Sequence, residues 1–273
     1  MIIFPSTSLV HSVVADAASA DFEASAFAVA LALVVVGVAL WRRATVAPAV
    51  AATSGFALAL TTLALAVSTG GWATRADAPI LGWFVDHRTR MSSEVALVVT
   101  TAGGPLETAG LGCVIAALLI LRTKRCRPAL ILLGTVALSA VVCTLLKLLV
   151  GRDRPPLSAQ LVVETDHSFP SGHVTGTATL LVMTVLALGH LSRTRLVVLL
   201  IGALAVIALV AASRLYLGAH WFTDVAGGAV LACVMVTAGA VALRLDAARP
   251  ERHHRAFPFR PTADDQRHTV SLG

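Results

Sequence analysis

Two histidines, the Asp224 carboxylate and several cations fall in three short stretches: Lys147–Pro155, Ser168–His173 and Ser213–Asp224. Their residue types suit a phosphate ligand. Arginine offers a planar fork for bidentate phosphate contacts and lysine a mobile point charge. Ser171 and Gly172 stand where a loop is expected to become a helix, so free N–H groups and the positive end of the helix dipole would face an anion. Gly172 has no side chain to obstruct that approach, and Pro170 fits a backbone passing from extended to helical. His220 and Asp224 are four residues apart and share one face of a helical turn. A carboxylate there can accept the imidazole N–H and fix its tautomer, leaving the other nitrogen as a nucleophile toward phosphorus. His173 would protonate the departing oxygen, and Lys147, Arg154 and Arg214 would ring the phosphoryl oxygens. The scheme requires no metal and no cofactor.

Each residue alone has a plainer reading. His173 can cap a helix, His220 can sit among headgroups, and Asp224 can face the dipole of a helix N-terminus. A metal held by His173 and His220 would find one carboxylate nearby and no cysteine. The weight falls on the joint pattern: all three clusters are expected on one side of the molecule, in complementary roles.

The elements that must carry them are apolar. Of 273 residues, 57% are hydrophobic and 13% charged, against about 25% charged in a soluble domain. That excludes disorder, and four scattered cysteines in a long chain exclude a disulfide scaffold. Apolar segments at about 24–41, 48–69, 106–121, 129–149, 173–191, 196–212 and 222–243 approach the ~20 residues that cross about 30 Å of hydrocarbon as helix. The expected fold is all-α, a polytopic transmembrane helical bundle. The first segment lies too deep in the chain and lacks a basic n-region, so it is read as a retained helix, not a cleaved signal. The stretch 75–104 is too charged and broken to span and is expected to lie as an amphipathic segment on the membrane face.

The net charge of +6 does not imply nucleic acid: only two of the 21 cations are lysine, and the arginines lie between apolar runs without interleaved aromatics. Counted in alternate connections, fourteen cations fall on the side of Arg42, Arg43, Arg122–Arg127, Arg193, Arg195 and the C-terminal segment, and seven on the other. The positive-inside rule makes the first side cytoplasmic and sets the three clusters and the N-terminus outside. Trp41, Trp72 and Trp221 are expected as interfacial anchors. Lys147, Arg152, Arg154 and Arg214 lie directly against spans, where charge is costly and often functional, although long side chains also snorkel to headgroups.

Together the clusters resemble the three signature motifs of the type 2 phosphatidic acid phosphatase family: Lys147 through Arg154-Pro155, then Pro170-Ser171-Gly172-His173, then Ser213-Arg214 with His220 and Asp224. The resemblance implies a metal-independent membrane lipid phosphatase in which His220 forms a phosphohistidine, Asp224 orients it and His173 is the general acid. Lys147, Arg154, Ser171, Gly172 and Arg214 would hold the phosphate. It also implies a six-helix core with both ends inside, at 48–243, preceded by an extra N-terminal helix within 1–47 and followed by a basic cytoplasmic tail at 244–273 that lies on anionic lipid or stays disordered. The expected substrate is a polyprenyl diphosphate or a phospholipid phosphate, taken from the outer leaflet of the cell membrane, with membrane lipids as the other partners. Phosphotransfer to a lipid or sugar hydroxyl and non-catalytic lipid binding are the rival functions. A vanadate-dependent peroxidase would share the phosphate-binding pattern but not a membrane-embedded chain.

The remaining features have bland readings. Cys113, Cys143 and Cys233 behave as small hydrophobes in spans. Gly172 with Gly176, and Gly227-Gly228, are expected to permit close helix approach. Glu164, Asp166 and His167 are read as solvated loop residues, with gating of the site as the alternative.

Overall fold

The structure is a computed structural model that describes residues 20–39, 47–189 and 191–248. Each of the seven apolar segments contains a helix among the described residues. The elements are α1 (Ala20–Ala39), α2 (Ala47–Thr69), α3 (Asp77–Asp86), α4 (Arg90–Ala102), α5 (Pro105–Thr123), α6 (Cys126–Val150), α7 (Gly172–Ala187), α8 (Arg193–Tyr216) and α9 (Phe222–Ala247). No strand occurs among the described residues. Five helices, α2, α5, α6, α8 and α9, are long and apolar enough to cross a membrane. At 16 residues, α7 is shorter than the expected segment 173–191 and extends about 24 Å. Trp41, Arg42, Arg43 and the segment from 249 onward lie outside the described residues.

The bundle inverts the usual distribution of a soluble core. Leu148 and Leu149 on α6 and Val198, Ile201 and Leu204 on α8 are exposed, which suits a lipid-facing surface, where apolar side chains lose nothing by facing outward. The interior is built from small residues and a few large ones. α9 packs on α2, α6, α7 and α8 and is the axis of the bundle. It comes close through glycine: a Cβ on Gly228 would stand 2.7 Å from the Ser171 carbonyl oxygen, and one on Gly227 would stand 2.4 Å from the Phe169 ring. The expected role of this glycine pair therefore holds. Gly172 and Gly176 differ. A Cβ on either would meet only ordinary contacts at 3.8 and 3.5 Å, because both face a cavity and not a packed helix. α1 pairs with α2 at the flank of the bundle, where Ala30 and Ala52 are buried.

The stretch expected on the membrane face forms α3 and α4. Thr89 starts α4, its hydroxyl accepting from Ser92 N at 3.2 Å, as an N-cap should. Met91 and Val98 lie exposed, whereas Ala96 and Thr100 are buried against α8. Successive helices from α6 to α9 alternate in direction. The C-terminal ends of α6 and α8 and the N-terminal ends of α7 and α9 therefore meet at one end of the bundle, and all three clusters lie there.

Candidate active site

Local chain chemistry sets each group. α6 ends in a left-handed Gly151 (φ 62°), whose N–H bonds to Lys147 O at 3.0 Å, the usual glycine stop. Lys147 thus occupies the last turn of α6, and the chain turns sharply toward Arg152 and Arg154. α9 begins at Trp221, and the Asp224 carboxylate reaches back to accept from Trp221 N at 2.8 Å. This is half of a capping box, and it places the carboxylate beside His220. Ser171 N donates to Asp224 O at 3.0 Å, tying the start of α7 to the start of α9.

His220 Nδ1 stands 3.4 Å from Asp224 Oδ2 and 3.4 Å from Ser168 Oγ. Ser168 itself donates to Asp224 Oδ2. An Nδ1–H donating into this pair leaves the Nε2 lone pair free. Nε2 has Arg154 Nη1 at 3.4 Å, a cation that opposes protonation. Burial, above all, pushes the His220 imidazole down to about 4, against the hydrogen bond and charge of Asp224. The ring is neutral at pH 7, as a nucleophile must be.

Asp224 is fully enclosed and meets four donors: Trp221 N, Ser168, the long contact from His220, and Arg152 Nη1 at 2.5 Å. Arg152, one of the cations lying directly against a span, clamps Asp224. Its Nη2 reaches Asp77 Oδ2 at 2.6 Å, its Nη1 also donates to Thr223 Oγ1 at 2.7 Å, and its guanidinium lies 5.6 Å from the Trp221 ring centroid. Asp77, in the first turn of α3, also accepts from Thr223 N at 2.9 Å and Thr223 Oγ1 at 2.8 Å. It belongs to none of the three clusters, and its sequence context signals only a helix start. Asp77→Ala is expected to lower stability by about 2–3 kcal/mol, because charged hydrogen bonds are lost at a buried arginine. Thermal melting in detergent checks this, and an unchanged Tm would reject it.

The three expected phosphate cations meet at this end of the bundle, but not all face the same space. A cavity of about 530 Å³ runs between α5, α6 and α7, with Lys147, His173 and His220 at its polar end and Leu133, Val136 and Ala137 at its apolar end. Lys147 lines it; Arg154 and Arg214 do not, and Glu164 and Asp166 line it instead. Lys147 Nζ donates to Asp166 Oδ2 and His167 O, both at 2.7 Å. Arg154 bonds to the Asp166 carboxylate, has Glu164 Oε2 at 3.5 Å and donates to Ala219 O at 2.6 Å. Arg214 bonds to Glu164 and, at 2.6 Å, to Thr100 Oγ1.

The reading of Glu164 and Asp166 as solvated loop residues is thus corrected: three cations draw them into the site. Burial works against ionisation of Asp166, but the hydrogen bonds and charges of Lys147 and Arg154 bring it to about 2. Burial also opposes the ionised form of Glu164, and the neighbouring Arg214 and Arg154 carry it below the ordinary carboxylate range. Three buried polar atoms at this end, Gln160 Oε1, Ser171 Oγ and Arg214 Nε, have no protein partner. A buried orphan donor costs about 1–3 kcal/mol unless something satisfies it. Ser171 N is engaged with Asp224 O, so the N–H groups that an anion could meet at the start of α7 begin at Gly172. No group of three or more potential metal ligands occurs among the described residues.

Comparison with known proteins bears out the resemblance carried by the motifs. Residues 128–246 match the family model described as the PAP2 superfamily, and all three clusters fall inside that range. Among solved structures, the chain is similar to the crystal structure of a transmembrane PAP2-type phosphatidylglycerolphosphate phosphatase from Bacillus subtilis. The two share 27% identity with a TM-score of 0.65, over 73% of this chain and 98% of that chain. None of the curated proteins compared with the chain matches it. The chain's fold is similar to that of this transmembrane phosphatase, and several of its helices are long and apolar enough to cross a membrane.

Proposed function

We propose that this chain is a lipid phosphatase that removes a phosphate from a polyprenyl diphosphate or a phospholipid phosphate at the outer leaflet of the cell membrane, through a phosphohistidine on His220. One observation carries the reading: His220, His173 and Lys147 stand at the polar end of a cavity whose other end is apolar and runs down between membrane-crossing helices. A headgroup at the histidines would leave its chain in the apolar part. Residues 48–243 would form the catalytic core, with the tail from 244 on the cytoplasmic side.

In the first step His220 Nε2 attacks phosphorus and the bond to the lipid oxygen breaks. That oxygen takes a proton from His173, whose protonated form is favoured by a phosphate dianion beside it. The Nδ1–H bonded toward Asp224 stabilises the ring as it becomes positive. In the second step water attacks phosphorus and passes a proton to His173, the N–P bond breaks, and inorganic phosphate leaves. Lys147, Arg154 and Arg214, with Ser171 and Gly172 at the start of α7, would hold the phosphoryl oxygens through both transition states. No resident metal enters these steps.

The test is phosphate release by detergent-purified protein on a panel of lipid phosphates and diphosphates, with and without EDTA. Release of one phosphate per lipid consumed is expected, unaffected by EDTA. Loss of activity in EDTA would overturn the metal-free chemistry, and lipid consumed without free phosphate would favour phosphotransfer. His173→Gln is expected to slow release from a lipid substrate by about 10²–10⁴-fold, the range of general acid catalysis. It should cost far less on p-nitrophenyl phosphate, whose leaving group needs no proton. Equal losses on both substrates would remove His173 from that role.

A further inference from the structure

Every cation assigned to the phosphate already holds a carboxylate from one short stretch of chain. Glu164 bridges Arg214 and Arg154, and Asp166 bridges Arg154 and Lys147. The two carboxylates face the cavity and the two arginines stand behind them. The stretch is pinned on either side: Leu161 N donates to Leu217 O at 2.8 Å and Ser168 N donates to Arg152 O at 2.9 Å. Between the pins, the Glu164 and Asp166 side chains are 26% and 56% exposed, whereas Arg154 and Arg214 are 6% and 1% exposed. The anions therefore have room to move and the arginines do not.

We propose that Glu164 and Asp166 are specificity-determining residues that compete with incoming phosphate for Lys147, Arg154 and Arg214, so that only a strongly charged phosphate displaces them. The inference rests on the phosphatase reading for the identity of the anion. Its physical basis is the solvent of the protein. A bilayer presents phosphodiester headgroups at very high local concentration, each with one negative charge and two non-bridging oxygens. Three unneutralised cations at the mouth of a lipid-accepting cavity would bind them indiscriminately. A phosphomonoester carries about −1.5 to −2 at pH 7 and three acceptor oxygens, so it can replace two carboxylates across three cations. A diester has neither the charge nor the oxygens. Displacing the carboxylates lowers the affinity of every anion by one common factor, and the weaker binder is the one that then falls below useful occupancy.

A calorimetric titration tests this without turnover. Inorganic phosphate and dimethyl phosphate, a soluble monoanionic diester, are titrated into detergent-purified full-length protein, wild type and the Glu164→Gln/Asp166→Asn double variant. The double variant is expected to bind phosphate at least tenfold more tightly. It should also bind dimethyl phosphate at concentrations where wild type shows no heat. Equal or weaker phosphate affinity in the variant would show that the carboxylates build the arginine positions and would overturn the proposal, as would a dimethyl phosphate affinity no higher than that of wild type. If the double variant does not fold, Glu164→Gln and Asp166→Asn are titrated singly, each expected to shift both affinities upward by a smaller factor. A protein that gives these binding changes yet releases no phosphate from any lipid would retain the competition and lose the phosphatase reading.

Discussion

His220→Ala is expected to abolish phosphate release, with kcat falling by at least about 10⁴-fold, the scale on which loss of a covalent nucleophile acts. Several neighbouring groups are already engaged. Lys147 is committed to Asp166 and His167 O, Ser168 to Asp224, and the nearest thiol, Cys143, points its Sγ at Pro170 O at 3.7 Å. Phosphate binding should survive, because the cations are untouched, so the loss should appear in kcat with little change in the affinity for inorganic phosphate. Turnover within tenfold of wild type would remove the phosphohistidine.

The same residue sets a pH dependence. Burial holds the His220 imidazole at about 4 in the folded protein, below the ~6.5 of an exposed histidine. The acid limb of kcat/KM is therefore expected near pH 4, where Nε2 takes up a proton, and not near 6.5. The stability effect has the opposite sign to that of a salt-bridged histidine. Between pH 6.5 and 4 the unfolded chain binds a proton at His220 that the folded chain excludes, so this residue makes stability fall as pH is lowered through that window, with no further change above it.

Asp224→Asn is the second large effect expected. The amide keeps the shape but offers one acceptor oxygen and no charge, in place of a carboxylate that meets four donors. Two losses follow. The imidazolium formed during transfer loses its counter-charge and its fixed tautomer, a change that costs about 10⁴-fold in kcat where the same arrangement supports a serine nucleophile. Arg152 also loses one of its two buried carboxylates, and breaking such a pair costs on the order of 3–5 kcal/mol. A fall in both kcat and Tm is thus expected. Asp77→Ala provides the contrast: it should lower Tm while leaving kcat much closer to wild type, because Asp77 touches Arg152 and Thr223 but not His220. If the two variants lose activity equally, Asp224 acts through folding and not through the imidazole.

The three motifs do not account for the two carboxylates that hold Lys147, Arg154 and Arg214. Glu164 and Asp166 lie in a stretch with no helical period and no motif, and their charge alone suggested solvation. Arg214, 1% exposed, is what makes that reading fail. A buried guanidinium needs a counter-charge, and Glu164 is the acid within reach.

What the sequence determined by itself was everything governed by local rules. Apolar run length gave the seven helices, because each must satisfy its backbone within itself in lipid. Residue type singled out the candidate nucleophile, its carboxylate and the cations, and the four-residue spacing of His220 and Asp224 placed them on one turn. Gly151 and the cap of α9 gave the turns that present them. Only the tertiary structure decided the pairings between distant residues. Asp77 with Arg152, Arg152 with Asp224, and Glu164 with Arg214 lie 75, 72 and 50 residues apart. Such partners are selected by which charges become buried together when antiparallel helices close, and no local spacing records that. Once three cations are enclosed at one end of an apolar bundle, electrostatics requires anions beside them. The sequence displayed both sets of charges, and packing determined that they meet.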